Sequence, residues 1–180
     1  MIRQLKREKN AVILGHYYQR GEIQDIADFC GDSLELSIKA AETTADMIVF
    51  CGVRFMAETA KILSPDKKVV LPVSTAGCDM ADMVDLETVR RMKKENPGLY
   101  VVAYVNTTAA TKSVVDICCT SGNAEKIVSA LPAGQKVMFL PDANLGGNLV
   151  KKLSRPMELW HGCCPIHDRI TPEDIEKAQD

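Results

Sequence analysis

The chain repeats itself. Sliding its first half forward by about 88 positions lays His16 on Tyr104, Tyr18 on Asn106, Ser33 on Ser121 and Leu71 on Leu159. Phe50, Leu63 and Cys78 meet Phe139, Leu153 and Cys164 at slightly different shifts, near 89, 90 and 86. Each copy reads as strand–helix–strand–helix–strand–loop. Strands that alternate with helices imply parallel sheets covered on both faces. The expected fold is therefore α/β, built as repeated three-layer αβα units with parallel sheets and pseudo-symmetric to one another.

The local signals agree. Ala11-Val12-Ile13-Leu14-Gly15 and Met47-Ile48-Val49-Phe50-Cys51 are unbroken apolar runs, as in strands buried on both sides. Lys68 to Leu71 gives a third strand, and Tyr100–Val105, Val137–Leu140 and Met157–Trp160 give their counterparts. Residues 2–9, Phe55–Leu63, Asp85–Asn96 and Leu145–Leu153 read as helices, and Asn123 to Val128 opens another. Asp32-Ser33 sits where an N-cap belongs, and Ser33 and Ser121 are read first as helix caps. Glu87 and Arg91 are spaced to support their helix. The boundaries that follow are a first unit over 1–84 and a second over 85–171. Thr171-Pro172-Glu173-Asp174 is a strong helix start, so 172–180 is expected to open a third unit that the chain does not contain.

A net charge of −2 gives no reason to expect nucleic acid or an anionic membrane as a partner. No apolar run approaches the ~20 residues of a membrane span. The basic N-terminus lacks the apolar core of an export signal, so a cytoplasmic location is expected. The seven cysteines then read as reduced thiols. None is spaced as C-x-x-C, so any metal must draw ligands from distant parts of the chain. Cys78 and Cys164 lie just after short strands in loops of small residues, where a sulfur can reach a metal. Position alone leaves an ordinary buried thiol an equal reading; membership of the repeat favours a ligand, and favours Cys164 over Cys163. Cys30, Cys51, Cys118 and Cys119 are expected in the core.

Polar residues recur at strand ends, where open α/β sheets bind ligands. His16, Tyr18, Ser33, Tyr104, Asn106 and Ser121 form a candidate site of neutral donors suited to a dicarboxylate or a phosphate. His16 is a candidate acid, base or carboxylate donor. A serine at a helix start can serve an anion through the N–H groups behind it. Each has an ordinary alternative: a satisfied histidine, filler tyrosines, plain caps. His161 and His167 are weaker candidates and are expected at the surface.

These stretches resemble a known family. Gly15-His16-Tyr17-Tyr18-Gln19, Gly31-Asp32-Ser33-Leu34, Val49 to Lys61, Ala76-Gly77-Cys78-Asp79-Met80-Ala81-Asp82, Tyr104-Val105-Asn106-Thr107, Asp116 to Ser121, Leu140-Pro141-Asp142-Ala143-Asn144-Leu145-Gly146 and Trp160 to His167 are similar to the quinolinate synthases of NAD biosynthesis. The resemblance implies three α/β units about a pseudo-threefold axis and a 4Fe–4S cluster held by one cysteine per unit. The two in this chain would be Cys78 and Cys164, with the third ligand missing. It implies a transferase-type condensation of iminoaspartate with dihydroxyacetone phosphate to quinolinate, with loss of phosphate and water. It implies catalytic roles for His16, Tyr18 and Tyr104. Substrate binding would fall to His16, Ser33, Tyr104, Asn106 and Ser121. An aspartate-oxidising enzyme would supply iminoaspartate. Arg54 and Val73-Ser74 depart from the family pattern, which would have His and a more acidic pair there. The competing readings are a non-catalytic dicarboxylate or phosphate module and one subunit of a split enzyme.

Overall fold

The computed structural model describes residues 1–179. The chain divides into two compact units, Met1–Cys78 and Asp79–Asp180. The first runs α1 (Ile2–Glu8), β1 (Ala11–His16), α2 (Gly21–Gln24), β2 (Phe29–Gly31), α3 (Ser33–Glu42), β3 (Met47–Cys51), α4 (Arg54–Leu63) and β4 (Lys68–Val70). The second runs α5 (Leu86–Glu95), β5 (Tyr100–Tyr104), α6 (Ala109–Lys112), β6 (Ile117–Cys119), α7 (Ala124–Ser129), β7 (Val137–Leu140), α8 (Ala143–Leu153), β8 (Glu158–Leu159) and α9 (Pro172–Gln179). The sheets have one topology, β2-β1-β3-β4 and β6-β5-β7-β8, and every pairing is parallel. This is the α/β architecture the repeat implies, with helices flanking each sheet.

Alternation along the central strands builds two cores in the second unit, because successive side chains leave a strand on opposite faces. Val101, Ala103, Met138 and Leu140 pack with Val89 and Met92 of α5 on one face. Val102, Val137 and Phe139 pack with Ala124 and Val128 of α7 and Leu149 of α8 on the other. Helix α8 comes close because Gly146 has no side chain: a Cβ there would lie 2.6 Å from Leu159 Cδ2 and 2.9 Å from Phe139 Cδ1. In the first unit Leu14, Ile48 and Phe50 are buried with Leu36, Ala40, Phe55 and Ala60.

Among the described residues each unit has four strands, one more than the sequence suggested. β2 and β6 escape notice because each is three residues long and only partly buried. Both are anchored by an aspartate just before them. Asp28 accepts from Ile13 N–H at 2.8 Å and pairs with Lys6. Asp116 accepts from Val101 N–H at 2.8 Å and pairs with Lys93.

The cap assignments need correction. The cap of α3 is Asp32, not Ser33: its Oδ1 accepts from Leu34 and Glu35 N–H, while Glu35 Oε2 accepts from Asp32 N–H. A capping carboxylate must sit before the first helical residue, and Ser33 is already that residue. Ser121 caps nothing. It lies in a turn before α7, in which Asn123 Oδ1 accepts from Thr120 N–H at 2.7 Å. Glu87 pairs with Arg90 rather than Arg91. Cys30 is exposed, while Cys51 and Cys118 are half-buried and only Cys119 of the four is in the core. Cys30 sits on an edge strand whose burial begins at Gly31.

Two cations close the helices that follow β2 and β6. Lys67 donates to the carbonyls of Thr43 and Ala45 beyond α3. Arg155 donates to those of Val128, Leu131, Pro132 and Gln135 around the end of α7. Orphan carbonyls and the helix dipole both favour a cation there.

Candidate functional site

In the first unit the candidate residues gather at the C-terminal ends of β1 and β2. His16 ends β1 and is 6% exposed. It lies beside Gly31 in register, so Ser33 starts α3 close by. The Tyr18 ring sits 4.4 Å from the His16 ring, tilted by 55°, and is 77% exposed. Tyr18 N–H donates to His16 Nδ1 at 3.2 Å. Burial pushes the His16 pKa down, with Asp32 pulling the other way. A buried imidazole loses more by being charged than by being neutral. Tyr17, outside the candidate set, donates to Glu35 Oε2 at 3.4 Å.

The second unit repeats the arrangement. Tyr104 ends β5 beside Cys119. Val105 N–H donates to Cys119 carbonyl at 2.7 Å, as Tyr17 N–H does to Gly31 carbonyl at 3.3 Å. Asn106 follows two residues after Tyr104, and Ser121 two residues after Cys119. Tyr104 and Asn106 are half-buried and Ser121 is exposed. Within each unit, then, three candidates meet at one sheet edge. His161 and His167 are exposed, as expected.

The two cysteine loops carry matching backbone ties. Arg54 N–H, at the start of α4, donates to the Ala76 carbonyl at 2.9 Å. Ala143 N–H, at the start of α8, donates to the Gly162 carbonyl at 2.7 Å. Each acceptor lies two residues before a cysteine, Cys78 or Cys164. This tie aligns Cys164, not Cys163, with Cys78. A side chain strengthens each loop. The Arg54 guanidinium donates to Ser74 carbonyl at 3.0 Å. In the second unit Asn144 Nδ2 donates to Asp168 Oδ1 at 3.0 Å, and Asp168 N–H to Cys164 carbonyl at 2.9 Å. Both thiols are half-buried and neither is in a disulfide.

Comparison with known proteins gives the lineage. The family model described as Quinolinate synthetase A protein matches residues 1–180. The chain belongs to this family. It is 53% identical over 180 residues to a quinolinate synthase of Aquifex aeolicus, covering 99% of this chain and 56% of that one. It is 56% identical over 176 residues to one from Pelobacter propionicus, covering 97% and 57%. With one from Methanosarcina barkeri the identity is 52% over 179 residues, covering 99% and 59%. The chain thus spans a little over half the length of these relatives.

Donor chemistry sets what a chain of this family and span can hold. Iron–sulfur clusters are ligated by thiolates. Cys78 and Cys164 fit that role: each is half-buried, on a loop tied to a helix start. Among the described residues no group of three or more His, Cys, Asp or Glu is gathered to hold a metal ion. Among the same residues no helix is long and apolar enough to cross a membrane.

The residues that sequence reasoning missed are the supports: Gln24, Lys112, Lys67, Arg155, Asp28 and Asp116. Several obey the shift of about 88 that picked out the candidates, including Gln24 with Lys112 and Lys67 with Arg155.

Proposed function

We propose that this chain supplies the first two units of a quinolinate synthase, an enzyme that condenses iminoaspartate with dihydroxyacetone phosphate and releases phosphate and water. One observation carries the reading. The strand-end constellation is built twice, by equivalent elements and equivalent backbone ties, in a chain of this family.

His16 would bind as a neutral donor. Its Nδ1 accepts from Tyr18 N–H, so the proton of the neutral ring sits on Nε2 and points to a carboxylate or carbonyl oxygen. Ser33 and Asn106 offer short uncharged donors to the same kind of anion. The hydroxyls of Tyr18 and Tyr104 would pass protons during loss of phosphate and water. Ser121 would complete the anion contacts on the second unit. Cys78 and Cys164 would hold a 4Fe–4S cluster together with a thiolate from a third unit. Once bound, that cluster supplies a Lewis-acidic iron. An aspartate-oxidising enzyme is the proposed source of iminoaspartate, and the cytoplasm the proposed setting.

The test is quinolinate formation after anaerobic reconstitution with iron and sulfide. The chain is combined with the part of the Aquifex aeolicus relative outside the matched span. Quinolinate should form, and His16→Ala, Tyr104→Phe and Asn106→Ala should each lower kcat/KM by at least about tenfold, the size expected when a positioned polar contact is lost. Tight dicarboxylate binding by the reconstituted assembly with no turnover would replace this reading with that of a binding module.

A further inference from the structure

The loops that carry Tyr18 and Asn106 are held by residues that none of the site reasoning uses. Gln24, the last residue of α2, donates from Nε2 to the carbonyls of Tyr17 at 3.1 Å and Gln19 at 2.8 Å. Lys112, the last residue of α6, donates from Nζ to the carbonyls of Val105 at 2.8 Å and Thr107. The two sets coincide under a shift of 88: Gln24 with Lys112, Tyr17 with Val105, Gln19 with Thr107. In each unit one side chain takes both carbonyls that bracket a candidate site residue, Tyr18 in the first and Asn106 in the second. The side chains differ in charge, so what is repeated is the geometry of donation.

In the first unit the clamp reaches further. A trans peptide is planar, and its C=O and N–H point opposite ways. The peptide joining Tyr17 to Tyr18 has its C=O on Gln24 and its N–H on His16 Nδ1 at 3.2 Å. A neutral imidazole has one donor nitrogen and one acceptor. An N–H held against Nδ1 makes that nitrogen the acceptor and leaves the proton on Nε2. Hydrogen bonds in a chain polarise one another and strengthen. Rotating this peptide away would expose Nδ1 to solvent and free the ring to exchange tautomers.

We propose that Gln24 and Lys112 are positioning residues for the strand-end loops bearing Tyr18 and Asn106, and that Gln24 also selects the Nε2–H tautomer of His16 through the Tyr17–Tyr18 peptide. Neither side chain needs to touch substrate. The inference rests on the reading of His16 as a substrate donor for its consequence, since only the Nε2–H form carries its proton on the nitrogen that the Tyr18 amide leaves free to donate. Burial of His16, which lowers its pKa, keeps the ring neutral and so keeps the choice of tautomer meaningful near neutral pH.

The experiment uses the 180-residue chain without substrate. Long-range proton–nitrogen correlation spectra of 15N-labelled protein report the tautomer of each of the three histidines, and His16→Gln assigns the His16 signals. Wild-type His16 should carry its proton on Nε2. Gln24→Met should lower the Nε2–H to Nδ1–H ratio by about fivefold, the effect of losing one ordinary hydrogen bond, and should speed exchange of the Tyr18 amide. Gln24→Glu keeps the shape but turns an acceptor toward two carbonyls, and should shift the ratio the same way. Lys112→Met should leave the His16 ratio at its wild-type value and move the Asn106 amide resonance. A purely structural role for Gln24 would change the melting temperature and leave the ratio alone. A wild-type His16 protonated on Nδ1, or an unchanged ratio in either Gln24 variant, overturns the proposal. Failure of the quinolinate assay leaves the tautomer result standing, so the two readings fall separately.

Discussion

Replacing Asp142 by alanine should loosen the Cys164 loop from a distance. Asp142 is 7% exposed, and its Oδ1 accepts from Asn144 N–H at 2.9 Å and Leu145 N–H at 3.1 Å. It caps α8, and the next residue, Ala143, donates its N–H to Gly162 two residues before Cys164. Removing a capping aspartate costs about 1 kcal/mol and up to about 2. Two amides lose a charged acceptor in a shielded place, so the upper figure applies. A loss of about 2 kcal/mol lowers Tm by roughly 4–8 °C in a chain of this size. Asp142→Asn keeps an acceptor oxygen and should lose about half as much. The assay is urea or thermal unfolding, paired with the labelling rate of Cys164 by a thiol reagent in a Cys163→Ala background. Labelling should speed up in Asp142→Ala, because a frayed α8 start releases the loop. A Tm within a degree or so of the parent, with an unchanged labelling rate, would refute the coupling of helix cap to cysteine loop.

Other outcomes follow from the same structure. Gly162→Ala would put a Cβ 2.5 Å from the Pro141 carbonyl oxygen; since backbone must move, unfolding should show a loss of about 1–3 kcal/mol. Arg155→Met strips one cation from four carbonyls and should cost about 1.5–3 kcal/mol, with Arg155→Lys recovering part of it. The Cys119 thiol is pushed up to about 12 by burial, so alkylation at mildly alkaline pH should spare Cys119 until the chain unfolds and should modify exposed Cys30 early. The pKa of His16 is lowered by burial in the folded chain. As pH falls through about 6.5 the unfolded chain takes up its proton first. Stability should therefore fall across that window and level off below the folded pKa, and His16→Gln should flatten this segment of the urea-unfolding profile.

Much of this was legible in the sequence because apolar runs mark strands and a duplicated pattern marks equivalent positions. Val12 to Leu14 and Val137 to Leu140 are buried nearly throughout, and so announced themselves. Phe29–Gly31 and Ile117–Cys119 did not, since a three-residue edge strand needs no apolar run. Asp32 and Ser33 are both cap-type residues, and only the position of the first helical turn decides between them. Gln24, Lys112, Lys67 and Arg155 act on backbone carbonyls, which leave no hydrophobic trace. Their identities also change between copies, because any long donor can serve a carbonyl. Asking which polar residues share the shift of His16 and Tyr104 would have found all four.

The account turns on Cys78 and Cys164 being equivalent thiolate donors. The most direct measurement is the brown chromophore formed on anaerobic reconstitution with iron and sulfide, in the presence of the span of the Aquifex aeolicus relative that this chain does not match. Cys78→Ala and Cys164→Ala should each abolish it, and Cys163→Ala should retain it. Retention in Cys164→Ala with loss in Cys163→Ala would contradict the alignment set by the Ala76 and Gly162 ties.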